Sequence, residues 1–272
     1  MPHIQIIVAT SNIDLQDIVI AQLAEINYDG FEQDDAQIKA YIMQEQFDET
    51  ALKAVLQPYQ LSFIQNIIEQ QNWNELWESN FEPVWVDDFV GIRAAFHQSL
   101  NGVEHEIVIT PKMSFGTGHH ATTFMVMQLM RDIHFTNKTV FDFGTGTGIL
   151  AILAEKLGAK NIYAVDYDNW CIENSKENIE QNNCTKIDIA KADTVQTIEQ
   201  YDVVIANINK NIIQDNFVLI DKACKPNGQI VLSGLLIEDE TDILALAATT
   251  KWQHVKTINK GAWIAMLFLL ND

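Results

Sequence analysis

The segment Asp142-Phe143-Gly144-Thr145-Gly146-Thr147-Gly148 follows an apolar run, Thr139-Val140-Phe141, and leads into another that begins at Ile149. A buried strand that ends in such a turn and feeds a helix can bring main-chain N–H groups against a ligand, because glycines let the backbone turn tightly. Dinucleotide sites space these glycines G-x-G-x-x-G, with pyrophosphate at the helix N-terminus. Here the spacing is G-x-G-x-G, and Asp142 stands two residues before the first glycine. A carboxylate at that point opposes pyrophosphate and suits a cationic ligand. S-adenosylmethionine, with its ammonium and sulfonium, has that character.

The following apolar run ends at Ala164-Val165-Asp166, where Asp166 lies 18 residues after Gly148. A carboxylate at a strand end can accept hydrogen bonds from both hydroxyls of a ribose. Asp168 sits at a helix entry and reads as a cap. Asp193 leaves two readings open, an acceptor for an adenine amino group or a plain turn aspartate. Asn207 follows another strand at its C-terminal end, where α/β sites form. Its amide offers a donor and an acceptor together, enough to position a cofactor and orient an incoming amine.

A second motif, Phe115-Gly116-Thr117-Gly118-His119-His120-Ala121-Thr122-Thr123, precedes the glycine turn by one helix. Its glycines suit a loop that closes over one end of a ligand. No acidic or cysteine ligand lies at helical spacing from His119 and His120, so the expectation is loop hydrogen bonding and no metal. Met125, Met127 and Met130 read as helix packing.

These residues need a scaffold. From residue 120 the expected elements are helix 121–132, strand 139–143, helix 149–157, strand 161–165, helix 169–181, strands 187–190 and 202–206, helix 209–223, strand 228–233, helix 239–249 and strands 252–258 and 262–270. Strands alternating with helices indicate a parallel sheet covered on both faces, with the last two strands as an antiparallel edge hairpin. Three short apolar pieces between residues 84 and 110 are expected to form an antiparallel lead-in. The first 70 residues read strand-helix-strand-strand-helix-strand, the ferredoxin-like order. Between them, 71–82 is expected to be a helical linker, with Trp73 and Trp77 on one face. The expected domains are therefore 1–70, the linker 71–82, and 83–272.

Composition narrows the function. The chain has 272 residues, about two domains at roughly 150 residues each. Its formal net charge is −20, with no basic run, so direct nucleic-acid binding is not expected. Residues 1–80 hold 13 acidic and 2 basic side chains, a net of −11. That surplus is either a solubility surface or a docking face for a basic partner. Cys171, Cys184 and Cys224 show no metal spacing and suit a reducing compartment. The first residues lack a signal-peptide pattern, and no apolar run is long enough to span a bilayer. A cytoplasmic protein with no membrane association is expected.

Together, the glycine turn, Asp166, Ala206-Asn207-Ile208 and the FGTGxHxTT segment resemble the ribosomal protein methyltransferase family, PrmA-type. The resemblance implies an α/β fold, a Rossmann-like class I methyltransferase domain with a seven-stranded mixed sheet. It also implies a small N-terminal α+β ferredoxin-like domain that recognises the substrate. Members use S-adenosylmethionine to methylate amino groups, of lysine side chains and the N-terminus, on large-subunit ribosomal protein eleven, a basic partner. Carried over by position, cofactor contacts fall on Thr123, Gly144, Asp166 and Asn207. Gly146 of the turn and Asp193 complete the candidate set. Thr145 and Thr147 stand where other members often have Cys and Ser, and are expected to act mainly through backbone. No residue is compelled to be a general base, so the catalytic set is left empty. The alternatives are a methyltransferase with the same cofactor domain but a small-molecule, nucleic-acid or other protein substrate, and a non-enzymatic cofactor-binding module.

Overall fold

The computed structural model describes residues 3–68, 81–112, 116–195 and 199–272. The chain divides into two compact units, Met1–Trp77 and Glu78–Asp272. The expected linker helix with Trp73 and Trp77 lies almost wholly outside the described residues, as does Phe115.

In the first unit, β1 (His3–Ala9), α1 (Ile13–Glu25), β2 (Gly30–Gln33), β3 (Gln37–Met43), α2 (Glu49–Leu56) and β4 (Phe63–Ile68) follow one another. The sheet order is β2-β3-β1-β4, and every neighbouring pair is antiparallel. Alternation decides which side faces in: Ile4, Ile6 and Val8 of β1 and Ile38, Ala40 and Ile42 of β3 are buried. They pack with Val19 and Leu23 of α1 and Leu52 and Leu56 of α2. Both helices begin at polar caps. Asn12 accepts from the Leu15 N–H, and Asp48 accepts from Thr50 and Ala51.

The second unit opens with β5 (Val84–Val86), β6 (Val90–Ala94) and β7 (His105–Ile109). The expected antiparallel lead-in is only half present: β5 and β6 are antiparallel, but β6 and β7 are parallel. The segment between β6 and β7 is too long for a tight hairpin and runs back to the start of the next strand. Arg93 holds the return, donating to the Ala94 and His97 carbonyls and to Glu106.

The main sheet has the order β10-β9-β8-β11-β12-β14-β13. Its strands are β8 (Thr139–Phe143), β9 (Asn161–Asp166), β10 (Ile187–Lys191), β11 (Tyr201–Asn207), β12 (Cys224–Leu236), β13 (Trp252–Lys260) and β14 (Trp263–Leu270). The first five are parallel, and the β13–β14 hairpin closes the edge with β14 antiparallel to β12. Between them lie α3 (Ala121–Arg131), α4 (Ile149–Lys156), α5 (Asn169–Gln181), α6 (Lys210–Ala223) and α7 (Glu240–Ala247). Because side chains alternate along each strand, the sheet feeds two cores. Val140, Ile162, Val203 and Val231 pack with α3 and α4, including Met125, Met127 and Met130. Phe141, Val204, Ile230 and Leu232 pack with Ile213 and Phe217 of α6 and Ile243 of α7.

The strand expected at 228–233 begins earlier, at Cys224. Residues 224–227, left between the expected helix 209–223 and strand 228–233, lie within β12, which is irregular there. The register jumps from Tyr201–Cys224 to Val203–Gln229, and Asn227 has φ +61°.

Candidate functional site

Strand order reverses beside β8, which has β9 on one side and β11 on the other. Such a switch point opens a crevice at the strand C-termini. Here it holds a cavity of about 730 Å³, a size typical of small-molecule sites. Phe143 and Gly144 reach it from β8, Asp166, Tyr167 and Asp168 from β9, Ala192 and Asp193 from β10, and Asn207 and Ile208 from β11. Gly146, His120, Trp170, Cys171, Asn209, Ile212, Gly234 and Trp263 complete the described lining.

The glycine turn is used differently from the expectation. The N–H groups of Gly144 and Thr145 donate to the Val165 carbonyl at 2.9 and 3.0 Å, and that of Gly148 donates to Thr145 O at 2.9 Å. Gly146 N–H donates to Asp166 Oδ2 at 2.9 Å. These donors are spent within the protein and do not form an open cradle for an anion. Thinness is what the glycines supply. A Cβ on Gly144 (φ +78°) would overlap Ile208 Cγ2, and one on Gly234 (φ +81°) would overlap the Ile208 carbonyl. Ile208 is therefore set between two glycines at the cavity wall.

Thr145 and Thr147 act through their side chains as well as backbone, a correction to the expectation. Thr145 Oγ1 donates to Asp142 Oδ2 at 2.6 Å, and Thr147 Oγ1 to the Gly116 carbonyl at 2.6 Å. A hydroxyl at each position satisfies a buried acceptor. Asp142 itself is fully buried and is not among the lining residues. Burial pushes its carboxyl up to about 7, against the Thr145 hydrogen bond, and the nearby Asp166 adds to the rise. It supports the turn from beneath rather than facing a ligand across the cavity.

Asp166 is buried at the cavity wall, accepting from Gly146 N–H through Oδ2 and from Asp168 N–H through Oδ1 at 3.0 Å. Each oxygen has a second lone pair for a ligand hydroxyl. Asp168 caps α5 by accepting from Trp170 N–H at 2.9 Å, and also lines the cavity. Asp193 is exposed on the rim. Asn207 lines the cavity, and its Nδ2 donates to Thr123 Oγ1 at 3.2 Å. Its Oδ1 is buried with no partner among the described residues. Thr123 is fully buried and stands behind Asn207 rather than on the described cavity wall. The structure thus gathers Gly144, Gly146, Asp166, Asp193 and Asn207 around one cavity, with Thr123 one step behind.

The two histidines diverge. His119 is exposed, its Nδ1 3.3 Å from Thr117 Oγ1 and its ring edge-on to Phe81. His120 caps α3 through Nδ1, 2.7 Å from Thr122 Oγ1, and its ring packs on Trp263 with centroids 4.8 Å apart. Among the described residues no group of three His, Cys, Asp or Glu side chains converges as a metal site.

The family described as ribosomal protein L11 methyltransferase (PrmA) matches residues 7–270. The chain belongs to this family. A ribosomal protein L11 methyltransferase of Phocaeicola vulgatus is 36% identical, over 95% of this chain and 95% of its own. One from Porphyromonas gingivalis is 36% identical, over 93% of this chain and 90% of its own. A crystal structure of ribosomal protein L11 methylase from Lactobacillus delbrueckii subsp. bulgaricus superposes with a TM-score of 0.66 at 26% identity, covering 71% of this chain and 100% of that one. As a member of the PrmA family, the chain is a class I methyltransferase that uses S-adenosylmethionine.

The cavity fits that cofactor. Three carboxylates, Asp166, Asp168 and Asp193, line it, and no lysine or arginine is among the described lining residues. Such a wall favours a ligand carrying positive charge. The unpartnered Asn207 Oδ1 supplies a buried acceptor for an N–H donor. Sequence reasoning did not assign Tyr167, Trp170, Ile208, Gly234 and Trp263 to the site. Tyr167 and Trp170 lie within four residues of Asp166 and are 71% and 51% exposed. Two exposed aromatics just past the acidic strand end are the signal that was there to find. Gly234 and Trp263 come from distant strands and carry no local motif.

Proposed function

We propose that this PrmA-family chain methylates amino groups of ribosomal protein L11, lysine side chains and the N-terminus, in the cytoplasm. The buried, unpartnered Oδ1 of Asn207 supports the reading, because an acceptor at the cavity wall can take an N–H of an incoming amine. Gly144 and Gly146 give the cofactor room against the turn, and Asp166 accepts from its ribose hydroxyls. Asp193 meets the adenine amino group at the rim. Thr123 acts through Asn207, fixing which way its amide faces.

S-adenosylmethionine, when bound, supplies a methyl group already activated on a sulfonium. The chain's own task is positioning. An acceptor lysine has an unperturbed pKa near 10.4 and must be neutral to attack. Desolvation beside Trp263 and Ile208 favours the neutral amine, and Asn207 Oδ1 orients it through an N–H. Holding both partners in line lowers the barrier by several kcal/mol. The acidic N-terminal unit, Met1–Trp77, holds 12 acidic and 2 basic side chains, a net of −10, and docks the basic ribosomal protein.

The test is labelled methyl transfer into total ribosomal protein and, in parallel, into total RNA. Label in one small protein band supports the reading. Label in RNA alone overturns it.

A further inference from the structure

Thr147 belongs to the glycine turn, yet neither end of it serves the cavity. Its side chain is fully buried and is not among the described lining residues. The hydroxyl donates to Gly116 O at 2.6 Å, and its carbonyl accepts from Asn178 Nδ2 at 2.8 Å. Asn178 Oδ1 accepts in turn from Thr110 N–H at 2.7 Å. Gly116 (φ +98°) lies so close that an added Cβ would come within 3.0 Å of Thr147 Oγ1. The turn is thus bonded to the chain before α3 at residues 110 and 116. Four residues beyond Gly116 is His120, whose ring lines the cavity and whose Nδ1 caps α3. Within the first turn of α3, Thr123 Oγ1 accepts from Asn207.

We propose that the Thr147 hydroxyl, supported by the Asn178 amide, is a positioning group that ties the cofactor turn to the segment carrying His120 and Thr123, the hydrogen-bond partner of Asn207. It sets the methyl donor's side of the cavity against the acceptor's side. Packing alone does not call for a hydroxyl here, since valine fills the same volume. The hydroxyl answers a buried carbonyl that would otherwise be orphaned. This inference rests on the methyl-transfer reading above, and a readout without turnover keeps the two separable.

The test uses the full chain, three single variants, Thr147→Val, Thr147→Ser and Gly116→Ala, and one double variant. Thr147→Val should lower kcat at saturating cofactor by about ten-fold, the loss of one buried hydrogen bond expressed in the transition state. Its dissociation constant for S-adenosylhomocysteine should stay within about two-fold, since Gly144, Gly146 and Asp166 are untouched. Thr147→Ser should recover kcat. Gly116→Ala should reproduce the kcat loss from the other side, and the double variant Thr147→Val/Gly116→Ala should lose less than the two singles combined. In hydrogen–deuterium exchange, S-adenosylhomocysteine should slow the 116–122 peptide in the wild type and fail to do so in Thr147→Val. A Thr147→Val effect confined to cofactor affinity, with kcat intact, overturns the proposal. So does failure of serine to rescue. If no variant, nor the wild type, methylates the ribosomal protein, the substrate reading fails and the exchange result alone decides the tie.

Discussion

Asp166→Asn probes the cofactor assignment most sharply, because the structure gives this carboxylate two backbone partners before any ligand arrives. Its oxygens accept from Gly146 N–H at 2.9 Å and Asp168 N–H at 3.0 Å. An amide keeps one acceptor and turns an NH2 toward the other donor, leaving one buried N–H unpaired. Hydrogen bonds to charged groups contribute roughly 1.5–3 kcal/mol each. The ligand-free variant should therefore be less stable by about 1–3 kcal/mol, a fall of roughly 3–10 °C in thermal midpoint for a protein of this size. Loss of the charge facing the ribose should separately weaken cofactor binding by about 10- to 100-fold. Titration calorimetry with S-adenosylhomocysteine, beside thermal unfolding without ligand, reads the two effects apart. A lowered midpoint with unchanged affinity would mean that Asp166 only braces the turn, and the ribose assignment would be wrong.

Asn207→Ala should lower kcat by about ten-fold or more through loss of one directed hydrogen bond, measured at saturating cofactor. An unchanged kcat removes Asn207 from the reaction. Gly144→Ala should weaken cofactor binding and lower the thermal midpoint, because the new Cβ overlaps Ile208 at a φ of +78°; retained affinity in calorimetry would contradict the close-packed wall. Asp142 has a folded pKa raised by burial to about 7. The unfolded chain ionises near 3.9, so this group's stabilising contribution is full below about 4 and is lost as pH rises to about 7. Asp142→Asn should accordingly gain stability relative to wild type between those limits, by a few kcal/mol, and hold the gain above them. Parallel denaturation curves at pH 5 and pH 8 would refute the raised carboxyl.

Much of this site was readable because its signals are local. A turn whose three glycines alternate with Thr145 and Thr147 can only be a tight backbone reversal. Asp166 and Asn207 end apolar runs, which is where parallel strands deliver side chains to a cavity. What escaped the sequence depends on distance. The parallel pairing of β6 with β7 turns on a return held by Arg93 and Glu106, which no short motif records. Asn174 and Asn178 on α5 and Asn182 at its C-cap recur every four residues, a spacing visible in the chain, but their partners at Thr110, Thr147 and Val108 lie far away in sequence. Thr123, expected from its motif to be a direct contact, is fully buried and accepts from Asn207. Spacing shows that residues share a neighbourhood, while the order in which they stand from the ligand is set by packing.

Methyl transfer from labelled S-adenosylmethionine into purified ribosomal protein L11, followed by mass spectrometry of the product, tests the central claim most directly. The account predicts methyl groups on lysine side chains or the N-terminus, and transfer slowed by about ten-fold or more in Asn207→Ala. Intact cofactor binding with no methyl on any amine of that protein would contradict it.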